Sequence, residues 1–283
     1  MSSVSVGNIN SSLKGFSRLA ALSATLDRYF LEQVALDFAG CTWFEANMCA
    51  PLGAVLKSTP NTVTIRNLRP EIQGILSKNR FLNNYGFPPQ RDTNDTVMPY
   101  QQFSVRDNLI VPHYLNEYLS GKGLPIMSQA LSRSFKESTL ELCNNAKDHA
   151  ESEIGIFVCG QYFPRKQRLD FCIADAGIGI RRRILKDLRK KMTSEQAIQW
   201  ALADGNTTRQ GRSPGGLGLN LIREFIVMNQ GHIQIVSDDG YWELSPKGET
   251  LKRLDASFPG TVINIEINTA DRSSYRLTSE SRK

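Results

Sequence analysis

Three short segments stand in one order in the C-terminal half of the chain: ELCNNAKDHA from Glu141, ADAGIGI from Ala174 and GGLGLNLIREFI from Gly215. Each constrains local shape. From Pro125 to about Ala150 there is no glycine or interior proline, and Leu131, Phe135, Leu140 and Leu142 supply an apolar face, which predicts a helix. Before the second segment, Leu169, Phe171 and Ile173 alternate with Arg168, Asp170 and Cys172. That is the period of a strand, and it runs into the loop Asp175-Ala-Gly-Ile-Gly179. The third segment is a glycine loop opening a helix that reaches about Met228. Helix, strand with glycine loop, and glycine loop with helix are the parts of an α/β layer.

The residue types at these places suggest a chemistry. Glu141, Asn145 and His149 follow one another at four-residue steps and so line one side of their helix. A carboxamide oxygen is a ligand for a hard ion such as Mg2+, and a carboxylate one turn away can deprotonate a water or hydroxyl beside a terminal phosphate. The same pair is also an ordinary feature of a solvated helix face. Asp175 ends its strand where glycines let the backbone approach a ligand, and its carboxylate suits an exocyclic amine such as that of adenine. The glycines from Gly215 lead into a helix N-terminus, where free N–H groups and the helix dipole favour an anion such as a polyphosphate. The preceding ADGNTTRQGRSP has the composition of a mobile lid, and Thr207, Thr208 and Arg209 are polar groups it could lower onto phosphates. Read as a plain surface connection, it would need no ligand.

Two other nucleotide motifs fail. The dinucleotide fingerprint requires a small third residue where Arg182 stands, and a βαβ start that the long preceding helix does not supply. A phosphate-binding loop ending in Gly-Lys-Ser/Thr is absent from the chain.

The order of the three boxes resembles the gyrase/heat-shock-chaperone/histidine-kinase/MutL ATPase superfamily over about Pro125 to Asn268. The resemblance implies an α/β sandwich, with helices on one face of a mixed sheet, that binds ATP with Mg2+ under a flexible lid. It implies Glu141 as general base, Asn145 as the magnesium ligand and Asp175 as the adenine-binding aspartate. Gly177, Gly179, Gly216 and Gly218 become the backbone positions along the nucleotide, with Thr208 and Leu219 beside them. Thr261, in PGTVINIEI, becomes the threonine that closes the adenine site. The box reads Glu-x-x-x-Asn rather than the Asn-x-x-x-Asn common in sensor kinases, which is similar to the anti-sigma-factor serine kinases. Asp148 takes the place of a frequent basic residue and resembles the gyrase-type ATPases, leaving phosphate contacts to Lys147, Arg209 or Arg212. A histidine phosphoacceptor is not expected: His113 lacks the usual acidic neighbour and follows Pro112, which suits a helix start or a loop.

The N-terminal third alternates strand and helix: VALDF, then a helix through Lys57, TVTIRNL, then RPEIQGILSKNRFL. This predicts a small α/β unit with parallel strands. The wording LDFAGCTWFEAN resembles the STAS domains, phosphorylatable antagonists of those serine kinases, over about Gln33 to Gly86. Their phosphoacceptor would fall near Ala46 or Asn47, neither of which can carry it, so a docking or structural role is implied.

A chain of 283 residues accommodates two such domains. The expected divisions are 1–86 for the STAS-like domain, 87–124 for a linker holding PPQRDTNDT, 125–270 for the ATPase domain and 271–283 for a polar, disordered tail. No apolar run spans a bilayer, the N-terminus lacks the features of a signal peptide, and five cysteines without a C-x-x-C pair suit reduced thiols. These point to a cytoplasmic protein away from membranes. Net charge is +6, much of it in residues 181–191, which reads as a solvated helix face. An acidic protein partner or DNA held through its phosphates also fits such charge, and a homodimer is compatible with the sequence. Two functional classes follow: an ATPase or serine kinase, or a nucleotide-gated interaction module with slow or no turnover.

Overall fold

The computed structural model describes residues 2–104, 107, 110–119, 121–150, 154–203, 206 and 217–280. The N-terminal half holds β1 (Ser2–Ser5), α1 (Leu13–Leu26), β2 (Gln33–Asp37), α2 (Cys49–Ser58), β3 (Thr62–Arg66) and α3 (Pro70–Lys78). Its three strands pair in parallel in the order β1-β2-β3. The remainder adds β4 (Val97–Phe103), α4 (Ile110–Tyr118), β5 (Ile126–Met127), α5 (Gln129–Ala150), β6 (Ile156–Phe163) and β7 (Arg168–Asp175). It continues through α6 (Gly179–Leu188), α7 (Ser194–Leu202), α8 (Leu217–Asn229), β8 (His232–Ser245), β9 (Gly248–Asn268) and β10 (Ser274–Tyr275). Strands β4-β6-β7-β9-β8 form a five-stranded sheet whose pairings are all antiparallel, while β5 and β10 pair in parallel.

Both faces of the five-stranded sheet are covered, and alternation along its strands feeds two cores. Ile156, Val158, Leu169, Phe171, Ile173, Ile265 and Ile267 pack under the helical layer with Leu115, Phe135, Leu142, Ile198 and Phe225. Phe157, Cys159, Cys172, Ala174 and Val262 face the other way and join a core continuous with the N-terminal half. There α1 and α2 lie across the sheet. Residues Cys49 to Leu56 are all buried, because α2 is sandwiched between the two sheets and has no solvated side in that stretch. A side chain at Gly53 would collide with the Tyr100 ring, so the close approach of α2 requires glycine there.

Two segments differ from the sequence expectation. Within 87–124, β4 forms an edge of the five-stranded sheet, and α4 buries Val111, Tyr114 and Leu115 in the helical core. The polar PPQRDTNDT masks the apolar run that follows it. Pro112 lies in the first turn of α4, where its missing N–H leaves no helical bond unmade. The tail from Asp271, expected to be disordered, is docked as far as residue 280. Tyr275 is buried and its hydroxyl bonds Asp271, while Ser128 Oγ donates to Glu280 at 2.6 Å. A composition rule registers the polar majority and not the one aromatic anchor.

The seam between the N-terminal half and the sheet contains a buried polar band. Arg168 meets Glu45, Asp170 at 3.2 Å and Glu266 at 3.0 Å. Beside it, Asn47 Nδ2 donates to Asn264 at 2.9 Å, Asn264 to Gln234 at 3.0 Å, and Gln234 to the Tyr241 hydroxyl at 3.1 Å. Ala46 and Asn47, where a phosphoacceptor would fall in the STAS-like reading, are fully buried in this seam.

Candidate functional site

Asp175 is the last residue of β7 and shares the parity of Ile173, so it belongs to the helical side of the sheet. It is 3% exposed. One oxygen, Oδ1, accepts from the backbone N–H of Gly177 at 2.8 Å and of Thr261 at 3.2 Å. Oδ2 accepts no hydrogen bond from the described residues. With no cation bonded to the group among the described residues, burial pushes its carboxyl up to about 7, against the downward pull of the two N–H donors. A carboxylate oxygen left without a donor is an acceptor open to a ligand or water.

The glycines around it are packed rather than merely loose. Gly260 takes a φ of 108°, and a Cβ there would lie 2.6 Å from Asp175 Oδ1 and 2.7 Å from the Gly177 nitrogen. Gly179, at a φ of 75°, would place a Cβ 2.7 Å from Asp238 Oδ2. Both positions exclude a side chain by space as well as by backbone conformation. This brings the strand end, the DAGIG loop and the turn before Thr261 together around Asp175.

Ser237 and Asp238, which the motifs did not mark, complete the wall. Ser237 is buried at the point where β8 shifts register against β9. Its Oγ accepts from Ile180 N at 2.8 Å, holding the first turn of α6, and lies 3.0 Å from Thr261 Oγ1. Asp238 sits beneath Arg181 and Arg182, at 3.7 and 3.6 Å, and burial raises its carboxyl despite them. The signal available in the sequence was weak: VSDDG reads as a strand followed by a turn, and Ser237's partner in β9 is distant in the chain.

Glu141 and Asn145 are both half-buried on α5, one turn apart, and α5 packs against β7, α6 and α8. No hydrogen bond or ion pair links either of them to Asp175, Ser237 or Thr261 among the described residues. Lys147, on the same helix, is buried. Among the described residues no group of three or more histidines, cysteines or acids could by itself hold a metal. Two oxygen donors on one helix face suit instead an ion that keeps its waters and takes ligand phosphates. Gly218 lies in the first turn of α8 and Leu219 packs against the helical core. Thr207, Thr208, Arg209, Arg212, Gly215 and Gly216 lie outside the described residues.

No helix among the described residues is long and apolar enough to cross a membrane. No curated protein matches the chain. The family model described as histidine kinase-, DNA gyrase B- and HSP90-like ATPase matches residues 120–270, more than half the chain. Asp175, Gly177 and Thr261 lie within the matched residues, and the chain therefore belongs to this family of ATP-binding ATPases and kinases.

Proposed function

We propose that the protein binds Mg-ATP with adenine on Asp175 and slowly transfers the terminal phosphoryl group, to water or to a serine of a protein partner. The observation that carries this reading is the buried Asp175, one oxygen fixed by two backbone donors and the other left for a ligand amine. Gly179 and Gly260 let the loop and the turn close on Asp238 and Asp175, which holds Asp175 in place. Asn145 would hold Mg2+ through its amide oxygen, supplying charge neutralisation at the phosphates. Glu141 would take the proton from the attacking hydroxyl as oxygen bonds to the terminal phosphorus and the bond to the bridging oxygen breaks, releasing ADP. Glu141 favours an enzyme over a binding module, which has no use for a base at that position.

The acceptor, in this reading, lies outside the chain. The N-terminal half, as a STAS-like relative, serves as structure or docking surface: its Ala46 and Asn47 are inside the seam and carry no phosphorylatable hydroxyl. A partner serine, rather than an internal one, is then the protein substrate.

Phosphate release under Mg-ATP tests the assignment. Glu141→Ala is expected to lower turnover by about 100-fold or more while ATP affinity stays within about twofold, since a base acts in the transition state. Asn145→Ala is expected to weaken binding only when magnesium is present. Full turnover in Glu141→Ala would remove the base. Binding without any release in the unaltered protein would favour the nucleotide-gated module.

A further inference from the structure

The hydroxyls of Ser237 and Thr261 lie 3.0 Å apart, and either can donate to the other. Ser237 Oγ already accepts the Ile180 N–H at 2.8 Å. Its proton has two acceptors within reach, Thr261 Oγ1 at 3.0 Å and the Gly260 carbonyl at 3.4 Å. The first distance is within the ordinary range for O–H···O bonds and the second is beyond it. With Ser237 as the donor in this pair, the proton of Thr261 is left with no acceptor among the described residues. The backbone N–H of the same residue donates to Asp175 Oδ1 at 3.2 Å.

We propose that Ser237 is a positioning residue that sets base specificity: by fixing the Thr261 hydroxyl as a donor next to the Asp175 acceptor, it makes the pocket select a 6-aminopurine over a 6-oxopurine nucleotide. The inference rests on the ATP reading given above. A 6-aminopurine presents an amine donor beside the N1 acceptor, which complements carboxylate plus hydroxyl proton. A 6-oxopurine presents an oxygen acceptor beside an N1–H donor, which opposes both. Without Ser237, the Thr261 hydroxyl can turn and accept, and half of that opposition is lost. Ser237 touches no nucleotide itself and acts through Thr261.

The experiment is calorimetric affinity for ATP and for inosine triphosphate, at about pH 8 so that Asp175 is ionised. The unaltered protein is expected to prefer ATP by about 1,000-fold. Ser237→Ala should bring that ratio down by about tenfold or more, and Ser237→Thr, which retains the hydroxyl, should restore it. A purely structural role would weaken both nucleotides by the same factor and leave the ratio unchanged, which would overturn the proposal. Thr261→Val gives a second route should Ser237→Ala fold poorly: it removes the donor directly, and an unchanged ratio there would equally overturn the proposal. Failure of the underlying reading has a different signature, an unaltered protein that binds neither nucleotide, and it would end both.

Discussion

Strand β7 carries two buried aspartates on opposite faces of one sheet, and the protein treats them differently. Asp170 faces the seam, is fully buried, and lies 3.2 Å from Arg168, which also meets Glu45 and Glu266. Burial drives its carboxyl well above the ordinary range even against that arginine, with the neighbouring Glu266 and Glu45 adding to the rise. Asp175 faces the helical layer with two backbone donors on one oxygen and no cation bonded to it. The first lies among charges of the protein itself with both oxygens buried and without a hydrogen bond, and the second has one oxygen tied to two backbone donors. Neither burial nor an unmatched acceptor separates the two carboxylates; what sets Asp175 apart is the glycine loop and turn packed around it.

Variants that remove one partner on each face test that contrast, and the largest effect belongs to the seam. Arg168→Met leaves Glu45 and Glu266 clustered without their shared cation, and is expected to cost about 3–5 kcal/mol of stability, read as a loss in denaturant midpoint. ATP affinity of the folded protein should hardly change. An equally stable Arg168→Met would mean that the seam does not depend on this arginine.

Next in size is Asp175→Asn, which keeps shape but replaces half of the acceptor with an amide. ATP affinity is expected to fall by about 100-fold with little change in thermal midpoint, the reverse of the Arg168 pattern. Equal losses of stability and affinity would erase the distinction between the faces.

A smaller effect comes from pH. The folded-state carboxyl of Asp175 is raised from 3.8 to about 7. Its contribution to stability is therefore fully present below about 3.8 and is lost as pH rises through about 7. Nucleotide binding to the ionised form runs the other way: ATP affinity should drop up to about tenfold per pH unit below the Asp175 range and level off above it. The Asp175→Asn variant corrects for titration of the phosphates. A pH-independent difference between the two proteins would show that Asp175 does not titrate on binding. Smallest is Asp170→Asn, expected within about 1 kcal/mol of the unaltered protein, because the buried group already favours its neutral form.

The difference between the faces also marks what could be read from the chain. That Asp175, Gly177 and Thr261 lie together followed from the order of the three boxes and the family resemblance it carries, not from any one of the local patterns. The alternation of Arg168, Asp170 and Cys172 with Leu169, Phe171 and Ile173 was equally visible, yet such a pattern ordinarily means one wet face. Only the docking of α1 and α2 on the sheet converts those polar positions into a seam, and no local pattern encodes that contact. Ser237 was missed for the same reason, since its partners Ile180 and Thr261 belong to elements brought to it by the fold. β4 and α4 were hidden behind a proline-rich stretch, and the tail was hidden by its polar majority.

Central to the account is that Asp175 receives adenine, and calorimetric titration of Mg-ATP and Mg-GTP into the unaltered protein and Asp175→Asn tests it most directly. The account predicts ATP-selective binding that the substitution largely abolishes while the protein stays folded. ATP binding of equal strength in both proteins, or no preference for ATP over GTP in the unaltered one, would contradict it.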